Sequence, residues 1–323
     1  MEFILPIGIL LITFLTVYFL WPVALVRFSR WAGQKINGLQ VRYVEHNGYR
    51  FCYLSRGKPG LHPSILMLHG FTLDKDLWLI TLYFFPKNIH VVCLDLPGHG
   101  ETSCLPGDRF TTFDQVKRIH QFVECTGLNG KPFHLVGISM GGMIAGVYAA
   151  HYPSEVCCLS LLCPVGLRYP TDTDIMKRVK EERKKHDEVP MVPSNTQQGA
   201  EFYRIGLYNT YRIPGQIVKG FFQDWLVENN FFKKCFLDVF GDESLYSLQE
   251  NMSKIRAPTQ VIWGKEDKIV DQSGAEVLAK GIPNCQLYLL EKCGHFLPID
   301  CPKQSAQLIL DFYTSYMKNK KLA

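Results

Sequence analysis

Gly137-Ile138-Ser139-Met140-Gly141 has the form G-x-S-x-G, and its neighbours give it meaning. Before it, Phe133-His134-Leu135-Val136 is short and apolar, the pattern of a buried strand. After it, Gly142-Met143-Ile144-Ala145-Gly146-Val147-Tyr148-Ala149-Ala150 is rich in small residues and predicts a helix. A strand that turns sharply into a helix at a serine lifts the hydroxyl clear of the sheet. The two glycines are explained sterically. A side chain at either place would collide with a turn that holds Ser139 at an unfavourable backbone angle. The turn also sets the hydroxyl at a helix N-terminus, where free N–H groups and the dipole favour negative charge. So short a pattern can arise by chance, and the companions below decide the matter.

The 323 residues suit one large α/β domain with an insertion. Hydrophobic residues make up 47% and charged residues 20%, a globular balance. A net charge of +5 is too weak a bias to argue for nucleic acid, though it suits an anionic membrane surface. The 11 cysteines are odd in number, scattered, and often inside apolar runs such as Cys157-Cys158. No C-x-x-C pair occurs, so neither a metal site nor a redox motif is indicated, and reduced thiols are expected. No internal repeat is visible.

Outward from the serine, strands and helices alternate. Strands are expected over residues 41–46, 50–55, 64–68, 89–94, 133–136, 156–163, 259–263 and 286–290. Asn47-Gly48 marks a hairpin between the first two. Helices are expected over 75–85, 111–125, 272–280 and 302–318. On the second, Phe113, Val116, Ile119, His120 and Val123 form the apolar face, and on the last Leu308, Ile309, Phe312 and Tyr316. This alternation implies an α/β fold, a mostly parallel eight-stranded sheet with helices on both faces.

Residues 40–165 and 252–323 form that core. Residues 166–251 break the alternation and read as a helical cap. Within the cap, the basic run Met176 to His186 is expected to be a solvated helix face. The aromatics Phe221, Phe222, Trp225, Phe231, Phe232 and Phe236 either build the cap's own core or, beside Lys233 and Lys234, meet lipid. Residues 1–30 are expected to be a membrane anchor, with one helix over about 3–26, which carries no charge. Pro22 can end or kink it, and a hairpin dipping into one leaflet is the lesser alternative. Arg27, Arg30 and Lys35 follow, which would put the bulk of the chain on the cytoplasmic side. A cleaved signal peptide fits poorly, because no basic region precedes the apolar run and no small-residue cleavage site follows it. Asn251-Met252-Ser253 fits the N-glycosylation pattern and would test that orientation.

A serine hydroxyl needs a base, and histidine suits because its pKa lies near neutrality. Of ten histidines, His295 lies in a Gly-His loop just after the last strand, at the same sheet edge as Ser139. His69 and His99 also sit at strand ends, in turns better explained by loop packing. Chain order Ser…Asp…His expects an orienting carboxylate between the two, and Asp267 lies just past the strand 259–263. Asp271 is the nearest rival, Asp172 and Asp174 are more distant, and a helix N-cap is the ordinary use of Asp267. An oxyanion would take one donor from Met140 N–H and a second from Phe71 N–H, in the loop after strand 64–68. In Asp95-Leu96-Pro97-Gly98-His99-Gly100 the prolyl and glycyl residues shape a turn that Asp95 anchors.

These motifs together, His69-Gly70-Phe71, Asp95 to Gly100, Gly137 to Gly142, Gly264-Lys265-Glu266-Asp267 and Gly294-His295, resemble the α/β-hydrolase superfamily. Within it, Leu20-Trp21-Pro22, Gln40 to Val44, Val116 to Cys125 and Lys320-Lys321-Leu322 are similar to the membrane-anchored monoacylglycerol lipases, over nearly the whole chain except the cap. The resemblance implies hydrolysis of monoacylglycerols such as 2-arachidonoylglycerol, with lysophospholipids as further substrates, on the cytosolic face of an endomembrane of the late endosome or lysosome kind. It implies no metal or organic cofactor, no nucleic acid, a lipid substrate and a bilayer as partners, and Ser139, Asp267 and His295 as the triad. The oligomeric state stays open. One departure is His295-Phe296-Leu297-Pro298-Ile299-Asp300, an H-x-x-x-x-D spacing found in glycerolipid acyltransferases. It raises transfer of the acyl group to an alcohol or lysolipid as the alternative reaction, against the plainer expectation that Asp300 caps the last helix or meets a loop amide. A non-enzymatic membrane scaffold on the same fold is the third reading, disfavoured by the intact Ser-Asp-His set.

Overall fold

The computed structural model describes residues 4–182, 191–210 and 213–322. Arg183, Lys184, Lys185 and His186 of the basic run, and Phe3 of the expected anchor, lie outside them. The chain opens with helices α1 (Ile4–Leu20) and α2 (Pro22–Asn37). The expected single helix over 3–26 is therefore two. The break is at Trp21, whose φ of −135° and ψ of 60° are not helical. Pro22 is the cause: it has no N–H for the ladder and pushes the residue before it out of the helical region, while suiting the first position of a new helix. Among the described residues no single helix is long and apolar enough to cross a membrane. Leu11–Leu20 and Pro22–Asn37 have the length and apolarity only as a pair bent by 108°.

The sheet has eight strands in the order β1-β2-β4-β3-β5-β6-β7-β8. Strands β1 (Gln40–His46) and β2 (Tyr49–Arg56) form the expected hairpin. Asn47 and Gly48 both take positive φ, 49° and 80°, as a turn matched to strand twist requires. Strand β3 (Ile65–Leu68) leads through a 3-10 turn (Lys75–Trp78) into the short α3 (Leu79–Leu82), where a longer helix over 75–85 was expected. The start of that segment serves the neighbouring loop instead, since the Lys75 backbone N–H and ammonium both bind Asp95.

Next come β4 (Val91–Leu94), α4 (Thr112–Thr126), β5 (Phe133–Ile138), α5 (Met140–His151) and β6 (Val156–Leu162). The buried face of α4 is rotated from the expected one: Phe113 is exposed, and Phe122 is buried against Phe51 and Tyr53 of β2. Between β6 and β7 run α6 (Asp174–Glu182), α7 (Thr196–Gly206), α8 (Gly215–Trp225), α9 (Asn229–Val239) and α10 (Ser247–Asn251). Here Phe222, Trp225, Phe232 and Phe236 are buried, and Trp225 stacks on Phe232 at 4.7 Å. These aromatics make a core rather than a lipid-facing surface. On α6, Met176 and Val179 point inward, with Lys177 and Arg178 exposed.

The chain ends with β7 (Thr259–Gly264), α11 (Ser273–Gly281), β8 (Cys285–Leu290), α12 (Leu297–Asp300) and α13 (Pro302–Leu322). From β4 to β8 across the sheet every pairing is parallel, with helices on both faces. The turns that follow β3, β5, β7 and β8 therefore gather at one edge. Helix α2 packs on α8 and on the loop after β3. Gly220 of α8 lies so close that a Cβ there would be 2.3 Å from Pro22 O. Arg30 binds Asp74 at 2.5 Å, Gln34 binds Asp76 at 2.8 Å, and Asn37 binds Leu79 O at 2.9 Å. The sequon residue Asn251 is buried and donates to Ser247 O at 2.8 Å, so it cannot report orientation through glycosylation of the folded protein. Among the described residues the cysteines form no disulfide.

Candidate active site

Ser139 follows β5 directly, with φ 55° and ψ −119°. Positive φ on a non-glycine residue is strained and persists only when surroundings enforce it. They do so here by space and by hydrogen bonds. A Cβ at Gly137 would stand 2.2 Å from Gly141 O, and one at Gly141 would stand 2.2 Å from His69 O and 2.6 Å from Leu68 O. Ser139 N–H donates to Leu162 O at 2.9 Å, and Ser139 O accepts from Met143 and Val165.

Asp267 lies three residues past the end of β7 and works with both oxygens. Oδ1 accepts from Ile269 N and Val270 N at 2.8 and 3.0 Å, which shapes the loop. Oδ2 meets His295 Nδ1 at 2.7 Å, and both side chains are buried. An ionised carboxylate can only accept, so Nδ1 carries the proton and Nε2 keeps its lone pair. The rival carboxylates are engaged elsewhere. Asp271 accepts from Ser273 N at the start of α11, Asp172 binds Lys180, and Asp174 binds Lys177 at an exposed site. Ser139 and His295 line one small cavity, together with Gly70, Phe71, Met191, Phe202 and Phe296. Among the described residues no hydrogen bond yet joins the hydroxyl to the imidazole, a looseness common in sites without substrate.

The two candidate oxyanion donors border this cavity. Met140 N–H begins α5 and has no helical acceptor. Phe71 follows Gly70, whose backbone sits against the nucleophile: a Cβ on Gly70 would be 3.2 Å from Ser139 Cβ. The Phe71 ring packs against Phe232 and Phe236 at 6.0 and 6.2 Å, so the loop is held by the α9 aromatics.

His69 and His99 do not enter the cavity. Burial lowers them to about 4 and about 3, so both are neutral. His69 Nε2 accepts from Leu96 N at 2.9 Å, which leaves Nδ1 to donate to Gly70 O at 2.8 Å. Asp95 anchors its turn as expected, through Glu101 N and a fully buried pair with Lys75.

Asp300 is buried, and it accepts from Gly294 N at 2.9 Å, Tyr208 N at 2.6 Å and Asn209 N at 3.2 Å. It is a loop-amide acceptor, occupied on both oxygens, and it is absent from the lining of the Ser139 cavity. Nothing in its position favours a part in acyl transfer. Several participants carried no sequence signal. Met191 and Phe202 reach the cavity from the region between β6 and β7. The Cys163 thiol, kept protonated by burial, donates to His295 O at 3.2 Å. Only the position of Cys163 at the end of β6, beside β5, could have suggested it.

The sequence matches the family model of the alpha/beta hydrolase fold over residues 63–185 and 192–302. It is 48% identical to the Homo sapiens protein named monoacylglycerol lipase ABHD6, over 98% of this chain and 95% of that one. A Xenopus laevis relative, monoacylglycerol lipase abhd6-A, is 45% identical over 96% and 94%. Among solved structures, a membrane phospholipase A described as a bacterial virulence factor superposes with a TM-score of 0.83 at 26% identity, covering 100% of this chain and 99% of the other. A putative lipase of Acinetobacter baumannii AYE superposes equally well, with a TM-score of 0.83 at 24% identity over 91% and 97% of the two chains, which speaks to fold alone.

Proposed function

This chain belongs to the α/β-hydrolase family, and from that premise we propose that it is a serine lipase that cleaves monoacylglycerols to fatty acid and glycerol, working at a membrane surface. The observation that carries this reading is the buried Asp267 Oδ2–His295 Nδ1 contact of 2.7 Å beside a strained Ser139 in a shared cavity. Ser139 Oγ attacks the ester carbonyl as His295 Nε2 takes its proton. Asp267 holds the tautomer and stabilises the imidazolium, while Met140 and Phe71 N–H groups receive the oxyanion. His295 then returns the proton to the leaving glycerol oxygen, and water activated by the same imidazole clears the acyl-enzyme.

The membrane part of the reading rests on the N-terminal segment. Phe19, Leu20 and Trp21 around the break, and Phe28, Trp31 and Ile36 on α2, expose large apolar side chains. A soluble surface rarely groups so many. Arg27 and Lys35 beside them suit a cytoplasmic orientation. Ser139→Ala is expected to abolish both monoacylglycerol hydrolysis and labelling by a fluorophosphonate. Labelling that persists at the wild-type level would refute the assignment of the nucleophile.

A further inference from the structure

Among the described residues, one set of three side chains gathers sulfur, oxygen and nitrogen donors about a single point: Cys163, Asp267 and His295. The donor atoms all lie within 4.8 Å of one another, and all three residues are buried. The sheet puts them there. β6 pairs with β7, so Cys163, just past the end of β6, lies beside the loop that follows β7 and carries Asp267. Cys163 N–H donates to Ile262 O of β7 at 3.0 Å. The His295 loop closes the third side. Gly264, at the end of β7, comes so near it that a Cβ there would be 2.2 Å from Cys293 O. The three donors are far apart in the chain, so no spacing motif announces them.

The set suits zinc by donor type, charge and support. Zinc takes thiolate, carboxylate and imidazole donors, with bonds of about 2.0–2.3 Å. Around one tetrahedral ion such bonds place the donors roughly 3.3–3.6 Å apart. Asp267 Oδ2 and His295 Nδ1 are nearer than that, at 2.7 Å, and no pair is beyond 4.8 Å. A shift of about 1 Å therefore completes the geometry. His295 O, 3.2 Å from the Cys163 sulfur, is a fourth donor within reach. A thiolate and a carboxylate neutralise a divalent ion, which lowers the cost of burying it. Asp267 is steadied from behind, since Ile269 N and Val270 N hold Oδ1 and leave Oδ2 for the ion. Calcium and magnesium need more oxygen donors than the set offers.

We propose that Cys163 Sγ, Asp267 Oδ2 and His295 Nδ1 form an inhibitory site for zinc. This rests on the triad of the proposed function and goes beyond it, since no particular ester is involved. Binding displaces two protons: the Cys163 thiol proton leaves for solvent, and so does the proton on His295 Nδ1. The neutral imidazole regains one at Nε2, so one proton is released overall. Nε2 then carries an N–H where it had a lone pair, and it cannot take the proton of Ser139. The ion thus holds the histidine in the wrong tautomer without touching the nucleophile. His295 is the member of the set that lines the Ser139 cavity, so the ion enters past its ring and inhibition sets in slowly.

The test uses the whole chain in membranes, first stripped of metal with a chelator. Labelling of Ser139 by a fluorophosphonate and hydrolysis of p-nitrophenyl butyrate are followed against added zinc, with magnesium and calcium as controls. Both rates are expected to fall together with zinc, to recover with chelator, and to ignore the other two ions. In Cys163→Ala, scored against its own metal-free rate, the zinc needed for half-inhibition should rise about tenfold or more. The same zinc sensitivity in that variant would overturn the proposal. A second measurement needs no variant. Detergent-purified wild type is titrated with cobalt(II), whose bond to a thiolate gives a charge-transfer absorption band. The band should grow in step with inhibition and vanish when zinc is added. Inhibition by cobalt with no such band would place the ion elsewhere and sink the idea, as would zinc that leaves both rates untouched. Failure of the triad assignment looks different: metal-free wild type would not be labelled at Ser139.

Discussion

His69 Nδ1 donates to Gly70 O at 2.8 Å, and together with Leu73 N–H, which donates to the same oxygen at 3.3 Å, it fixes the direction of the next amide. Among the described residues the peptide bonds are trans, so Gly70 C=O and Phe71 N–H point in opposite directions from one rigid plane. With the carbonyl turned toward His69, the Phe71 N–H is turned the other way, and Gly70 itself abuts Ser139. His69 is thus a positioning residue for a candidate oxyanion donor. It can do this only while neutral, because Nε2 must accept from Leu96 N–H.

His69→Ala removes the shorter of the two hydrogen bonds that hold that plane. Turnover is expected to fall about a hundredfold or more, the usual cost of one oxyanion donor, with little change in KM. The kcat is taken per active site, titrated with a fluorophosphonate, so that loss of folded protein does not count. A variant with reduced stability and an unchanged kcat per titrated site would confine His69 to a packing role.

Asp267→Asn keeps the loop bonds to Ile269 and Val270 within reach and removes the carboxylate's hold on the tautomer. A loss of turnover on the order of ten-thousandfold is expected, with near-native stability. A near-normal rate would hand the role to another carboxylate, although Asp271 already accepts from Ser273 N.

What the sequence made legible was local. The hairpin at Asn47-Gly48, the sharp turn at Ser139 and the placement of Asp267 and His295 at strand ends each depend on residues a few positions apart. What it hid was set by distant partners. The α4 face turned because β2 offers Phe51 and Tyr53 to Phe122, and no helical period encodes that neighbour. Lys75 looked like the start of a helix because its partner Asp95 lies twenty residues away. The cap aromatics suit core and lipid equally by composition, and their burial is decided by distant Phe71, which packs on Phe232. The N-terminal segment shows the opposite case: composition favours one helix over 3–26, and one local residue, Pro22, divides it.

Acid should weaken the fold before it reaches the carboxylates. His69, His99 and His134 are buried and held to about 4, about 3 and about 3. Unfolded, each would bind a proton near its ordinary value of about 6.5. As pH falls below that value the unfolded chain takes up protons that the folded chain refuses. Stability therefore declines from about pH 6.5 down to pH 3–4 and stops declining from this source only below. His134 gives a clean test, since it lies within β5 and bonds Ser160 at 2.7 Å. His134→Gln should reduce the slope of urea-unfolding stability between pH 6 and 4 by about one proton, roughly 1.4 kcal/mol per pH unit. An unchanged slope would mean that His134 binds the same number of protons folded and unfolded, and that burial does not hold it neutral.

Asp300 joins two segments that meet at the site: Gly294, beside the histidine, and Tyr208 and Asn209, just past α7. Removing its oxygens takes the acceptor from the buried Gly294 amide and from the part-buried amides of Tyr208 and Asn209, and a buried unsatisfied group costs about 1–3 kcal/mol. Asp300→Ala should therefore lower stability by a few kcal/mol and loosen the His295 loop, so that hydrolysis and any transfer to a lysolipid acceptor fall together. Asp300→Asn keeps one carbonyl oxygen able to accept from Tyr208 and Gly294, which share Oδ2, and should recover much of both. The decisive comparison is between the two reactions rather than between the variants. Parallel loss and parallel rescue fit a carboxylate that holds backbone. A variant that keeps hydrolysis and loses transfer alone would mean that Asp300 handles the acyl acceptor, and the loop bonds would then be incidental.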